Sequence, residues 1–277
     1  MVNLCYTPPL TLISTYRKQS NTEQYSCVVG DTRFKHLEEP MKPIQFAAVA
    51  LLVFAFSIVF EARGMRASEA KTQYQQMAPV EQYLMADRNA EITLARSAAP
   101  ESISHDATIL VLGKRGYETA AEGKNGFVCV VERAWMSPFD SPQFWNPKLR
   151  GPVCFNPPAA RSVLPITYKR TEMVFAGRTR AEILEGTKAA FESGELKPLE
   201  AGAMSYMMSK DAYLTDNGDH NLAHLMFYTP LLDSAVWGAD LPKSPVMLNP
   251  QFKGAQPINV FIVPVGTWSD GTAAPVM

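Results

Sequence analysis

The feature that most constrains this chain is an apolar run, Ile44–Phe60, reading IQFAAVALLVFAFSIVF, with Gln45 and Ser57 as its only polar side chains. A helix on a water-soluble domain keeps a polar face, and this run has none. At about 17 residues it falls between a long signal-peptide core and a short membrane span. Lys42, directly after Met41, supplies the positive charge that precedes an export segment. Ser68 and Ala70 supply the small residues of a cleavage site. Two outcomes are consistent with this pattern: a signal peptide over 41–70 cut after Ala70, or a membrane anchor retained through residues 44–60. Arg63 and Arg66 oppose translocation of the segment beyond the run and weigh against simple cleavage. Both outcomes place residues 71–277 outside the cytoplasm, as a periplasmic or secreted domain or one tethered to the membrane. Residues 1–40 are polar and aperiodic and fit no export pattern. They read as a mis-called start or a disordered tail.

Four cysteines occur, and Cys129 and Cys154 are the two within 71–277. In an exported domain such a pair reads as a disulfide, and the lack of C-x-x-C spacing argues against a thioredoxin-like role. A net charge of −1 without a Lys/Arg block excludes nucleic acid held through phosphates.

Periodicity predicts a helix from Tyr74 to Ala98, opened by Pro79. Strands are expected at Thr108–Leu112, Tyr117–Ala121 and Phe127–Arg133, with GKNG (123–126) as a hairpin signal before the third. That third strand is apolar on both sides and is expected at the centre of its sheet. Asn156 and Pro157 predict the start of a helix that Pro165 kinks or splits. Thr179 and Glu182 form a capping box for the next helix. Further strands are expected at Ala203–Ser209, Ala223–Thr229 and Asn259–Val265, the first two joined as a hairpin through TDNGD (215–219). Pro264 marks an end or an edge of the last. The order implies a single α+β domain, a mostly antiparallel sheet of about five to six strands with helices packed on it.

Between Ala134 and Pro158 lies a stretch in which six prolines interleave with Trp135, Phe139, Phe144, Trp145 and Phe155. Proline fixes φ and removes donors, so an irregular loop is expected, and a loop this long usually has a function. Glu132 and Arg133 lie at the strand end that feeds it. Arg133, Trp135, Trp145 and Arg150 are candidates for a ligand pocket with aromatic walls and a charged clamp. His224 shares a strand face with Met226 and Tyr228, and its near-neutral pKa makes it a candidate acid or base with Glu132 or Tyr228. A satisfied core histidine is the plainer alternative. Asp219, His220 and His224 form a weak metal candidate. Residues 220 and 224 would stand about 13 Å apart on a strand, too far to share one ion. Met204, Met207, Met208 and Met226 read as core filler rather than a copper site. No nucleotide loop, G-x-S-x-G motif or other cofactor signature occurs, so no cofactor is expected.

The run NGFVCVVERAW…FWNPKLRGPVCFNPPAARSVLP, together with GAMSYMMS and HLMFY further along, resembles a family of uncharacterised exported bacterial proteins. The resemblance implies export and a single domain, and it carries no activity. The leading expectation is an extracytoplasmic domain that binds a small molecule or an envelope partner through the 134–158 loop. A small hydrolase-like enzyme using His224 is the alternative.

Overall fold

The computed structural model describes residues 73–216, 222–249, 254 and 256–275. The apolar run 44–60, the position Ala70, residues 1–40, and Asp219 and His220 lie outside them. Among the described residues no helix is long and apolar enough to cross a membrane.

The first helix is shorter than its apolar spacing predicts. Val80–Gln82 form one 3-10 turn, and α1 (Arg88–Arg96) begins only after Asp87, whose carboxylate accepts from the amides of Asn89 and Ala90. That cap offers the first amides a partner outside the helix and sets its start there. A four-residue helix, α2 (Glu101–Ser104), comes after Pro100. Strand β1 (Thr108–Gly113) then pairs antiparallel with β2 (Gly116–Ala121).

The GKNG segment does not make a hairpin. Strand β3 (Val128–Glu132) lies on the far side of β1 and runs parallel to it. The connection crosses the start of β1, where Gly123 lies so close that a Cβ would stand 2.2 Å from Thr108 N and 2.3 Å from the Ala107 carbonyl carbon. The Lys124 amide donates to the Asp106 carbonyl at 2.7 Å, and the Gly123 amide donates to Thr108 Oγ1 at 3.0 Å. Glycine is needed here for close backbone approach rather than for a tight turn.

A buried strand inside the proline-rich stretch, β4 (Gly151–Phe155), pairs antiparallel with β3. Pro152 argues against a central strand. It is accommodated because the next strand, β5 (Met204–Met207), pairs only with Cys154 and Phe155. β6 (His224–Pro230), β7 (Met247–Asn249) and β8 (Ile258–Pro264) complete a sheet of order β2-β1-β3-β4-β5-β6-β8-β7. The class is α+β, but the sheet has eight strands and is mixed, a correction to the five or six mostly antiparallel strands expected. β4 and β7 were not legible, and the crossing at Gly123 makes β1 and β3 parallel. β8 ends at Pro264, and β7 takes the edge outside it.

Asn156 caps α3 (Pro157–Ser162) by accepting from Ala159 N, and its amide donates to the Gly202 carbonyl at 2.8 Å. Pro165 splits this helix from α4 (Leu164–Phe175). The capping box of Thr179 and Glu182 starts α5 (Arg180–Glu192). Pleat alternation divides the sheet into two faces. One carries Ile109, Cys129, Val131 and Cys154 against alanines 95, 98 and 99 of α1 and its C-terminal turn. The other carries Val130, Val153 and Phe155 against α3–α5.

Cys129 and Cys154 stand opposite each other on β3 and β4 and form a fully buried disulfide. Closing a loop with a sequence separation of 25 residues stabilises the fold by roughly 3 kcal/mol on the chain-entropy account.

Arg133, at the end of β3, has no solvent exposure. Its guanidinium donates to Glu91 Oε1 of α1 at 2.7 Å, to the Tyr83 carbonyl at 2.8 Å and to the Val131 carbonyl. Glu91 Oε1 also accepts from Leu112 N of β1 at 3.0 Å. Tyr83 in turn donates its hydroxyl to the Trp145 carbonyl at 2.9 Å. Removing one partner of such a buried pair strands the other charge, so Arg133→Met is expected to cost roughly 3–5 kcal/mol. The double variant Arg133→Met/Glu91→Leu should recover part of that loss, read from urea midpoints. Gly123→Ala should cost roughly 1–3 kcal/mol through overpacking. An unchanged midpoint for Gly123→Ala would contradict the crossing.

Candidate functional site

A cavity of about 410 Å³ opens on the α3–α5 face of the sheet, beneath the stretch that leaves β3. Its floor is Phe155 of β4, Met207 of β5, Met226 and Tyr228 of β6 and Ile262 of β8. These project to one side because strand pairing aligns them: Met207 stands opposite His224, and Met226 opposite Ile262. Its roof is Met136, Ser137, Pro138, Ser141, Gln143 and Leu149.

The helices hold that roof in place. Arg180 of α5 donates to the Phe139 carbonyl at 3.1 Å, and its guanidinium sits 5.1 Å from the centre of the Phe144 ring. The Arg170 guanidinium of α4 covers Phe139 at 4.2 Å. The stretch is therefore more ordered than its prolines suggest, with Ala134–Met136 forming a 3-10 turn and β4 lying within it.

Three acid/base candidates from the sequence, Glu132, His224 and Tyr228, line this one cavity. Glu132 accepts from Thr167 Oγ1 at 2.7 Å. Loss of water raises its carboxyl from 4.5 to about 7, against the lowering effects of the Thr167 bond and the nearby Arg170 charge. His224 is 8% exposed, and its Nδ1 lies 2.7 Å from the Leu222 carbonyl. That acceptor fixes the Nδ1–H tautomer and leaves Nε2 as the acceptor nitrogen. Burial holds the imidazole below its ordinary range, with the Leu222 bond opposing the shift, so the ring is neutral at pH 7. Tyr228 is tied down: its hydroxyl lies 2.8 Å from Ser205 Oγ, and burial raises its pKa far above the usual tyrosine value.

Strand order sets the spacing of these groups. Glu132 is on β3 and His224 on β6, with β4 and β5 between. At about 4.8 Å per strand the two backbones stand roughly 14 Å apart, beyond the reach of a direct hydrogen bond between the side chains. His224 and Tyr228 are four residues apart on one strand face, roughly 13 Å. Glu132 and His224 thus stand apart on an otherwise mainly apolar floor, with Ser137, Ser141 and Gln143 in the roof.

The four ligand candidates around the loop have other positions. Arg133 touches the cavity, but its guanidinium is engaged by Glu91 and two carbonyls. Trp135 is fully buried, donating to Thr171 Oγ1 at 2.9 Å and packing on Tyr83 and Phe175. Trp145 packs edge-on against Phe144 and lines a separate surface pocket with Tyr74 and Pro147. Arg150 donates to the Pro147 and Leu149 carbonyls, and burial lowers it to about 10. Of the aromatic residues in this stretch only Phe155 lines the cavity, and the others are framework. Met136, Met207, Met226 and Ile262 line the cavity instead. The β6 alternation placed Met226 beside His224 and Tyr228, but only strand register reveals the rest.

Of the weak metal set, only His224 falls within the described residues. Among those residues no group of three or more His, Cys, Asp or Glu side chains could hold an ion. Comparison with known proteins gave no match to a family model, a curated protein or a solved structure.

The raised Glu132 pKa fixes a sign. A carboxyl raised on folding contributes stability that is fully present below about pH 4.5 and is lost as pH rises through about 7. His224, lowered on folding, contributes stability that is present above its ordinary 6.5 and is lost as pH falls. Comparing wild type with Glu132→Gln isolates the carboxyl. The melting temperature of wild type relative to the variant should fall between about pH 4.5 and pH 7. A difference independent of pH would contradict the burial of this carboxyl.

Proposed function

We propose that this protein binds a small, uncharged, largely apolar molecule in the cavity between the sheet and the 136–149 roof. Export to an oxidising compartment belongs to the same reading, supported by the buried Cys129–Cys154 disulfide and the signal-like pattern over 41–70. The observation that carries the ligand class is the lining. Met136, Met207, Met226, Leu149, Phe155 and Ile262 supply adaptable apolar surface, methionine being the side chain that best fits varied shapes. Glu132, His224, Ser137, Ser141 and Gln143 supply a few polar groups, and the guanidinium of Arg133 is already engaged. A carboxylate ligand would therefore meet no ready cationic partner among the described lining residues. A volume of about 410 Å³ suits a small molecule better than an envelope protein.

An acid/base enzyme is the second reading, favoured by a carboxyl titrating near 7 in the same cavity as a neutral histidine. The strand separation weighs against it, because the two groups would have to act on different ends of a substrate. The test is titration of the full chain with N-phenyl-1-naphthylamine, a neutral apolar fluorophore. Saturable enhancement is expected, and Met226→Trp, which fills the floor, should weaken it at least tenfold. Equal binding by the variant would sink the proposal.

A further inference from the structure

The serine hydroxyls of the cavity roof can donate or accept, but the Nε2 nitrogen of His224 can only accept. Its ring stands on the face of β6 that also carries Met226 and Tyr228, and these side chains line the cavity together. Nδ1 is committed to the Leu222 carbonyl at 2.7 Å. A neutral imidazole that donates through Nδ1 has a lone pair at Nε2 and no proton to give there. Burial favours that neutral form. Nε2 makes no hydrogen bond among the described residues, and it is not sealed from water.

Strand register explains why the neighbouring side chains leave that lone pair open. His224 stands opposite Met207 on β5 and opposite Pro264 on β8, and Met226 follows it on its own face. A thioether or a pyrrolidine ring has no proton to donate. The Tyr228 hydroxyl belongs to a residue roughly 13 Å along the strand, and it is engaged by Ser205 Oγ at 2.8 Å. A hydrogen bond to Nε2 therefore comes from whatever occupies the cavity.

The complement of a lone acceptor in apolar surroundings is a lone donor on an apolar body. A hydroxyl is the smallest uncharged group that supplies one. Phe155, Met207, Met226 and Ile262 then receive the apolar body. An ether or ketone at the same place would set one lone pair against another and leave Nε2 desolvated without a partner.

We propose that the ligand is an apolar alcohol or phenol, and that His224 Nε2 accepts its hydroxyl proton in a hydrogen bond. This rests on the ligand cavity proposed above and goes further by naming the ligand group that sets specificity and the residue that reads it.

The test is competition against N-phenyl-1-naphthylamine on the full chain, using two probes of nearly equal shape, 2-naphthol and 2-methylnaphthalene. Transfer out of water favours the methyl compound, so an indifferent apolar cavity would hold it more tightly. Wild type is expected to bind 2-naphthol at least tenfold more tightly instead, and His224→Leu should abolish that preference. The ¹⁵N resonance of His224 Nε2 in the wild-type chain needs no variant. It should shift saturably with 2-naphthol and move far less with 2-methylnaphthalene. Equal or weaker binding of 2-naphthol by wild type, a preference that survives in folded His224→Leu, or an unmoved Nε2 resonance would each overturn the inference and leave the cavity standing. If His224→Leu does not fold, the two wild-type readouts decide. Failure of N-phenyl-1-naphthylamine to bind wild type would sink the cavity and this inference together.

Discussion

The guanidinium of Arg133 is the point on which the rest of the structure depends. A charge without solvent exposure is tolerated only when paired and hydrogen-bonded, and Arg133 meets both conditions through partners on separate parts of the chain. Glu91 brings α1, Tyr83 brings the 3-10 turn before it, and Glu91 in turn holds Leu112 of β1. Through the Tyr83 hydroxyl the network reaches the Trp145 carbonyl in the proline-rich stretch. One buried cation thus fixes where β3 ends and where the chain turns away to become the cavity roof.

That arrangement divides labour between the two faces of the sheet. Cys129 and Val131 point toward α1, where the disulfide ties β3 to β4 under a close-packed layer of alanines. Val130 and Glu132 alternate to the opposite side, where helices cover β1 to β4 and the roof covers the strands beyond. The disulfide and the cavity therefore fall on opposite faces of the same strands. Over β5, β6 and β8 the cavity has the methionines Met207 and Met226 in its floor and Met136 in its roof.

Local chemistry was legible in the sequence wherever one residue decides the outcome. Asn156 with Pro157, the split at Pro165 and the Thr179–Glu182 box all have one physical meaning, and each is found where its residues stand. Strand β3 was legible as central because Cys129, Val130 and Val131 are apolar in succession. The features that escaped were decided by distant partners. Pro152 concealed β4, since the sequence cannot reveal that β5 pairs with only two of its residues. Gly123 read as a turn glycine, since a close approach to Thr108 is visible only in three dimensions. The site was half legible: alternation in β6 grouped His224, Met226 and Tyr228, while Trp135 and Trp145 drew attention to the loop as an aromatic wall. Large rings are buried on average, and here their burial builds the roof's support.

The most direct test of a ligand cavity above β5 and β6 is methyl NMR of the full chain labelled at the methionine ε-carbons, titrated with N-phenyl-1-naphthylamine. The methyls of Met136, Met207 and Met226 line the cavity, whereas Met173 sits between α4 and α5 and Met77 on the N-terminal segment. Saturable shifts confined to Met136, Met207 and Met226 are the predicted result. Shifts centred on Met173 or Met77, or no shift at saturating probe, would contradict it.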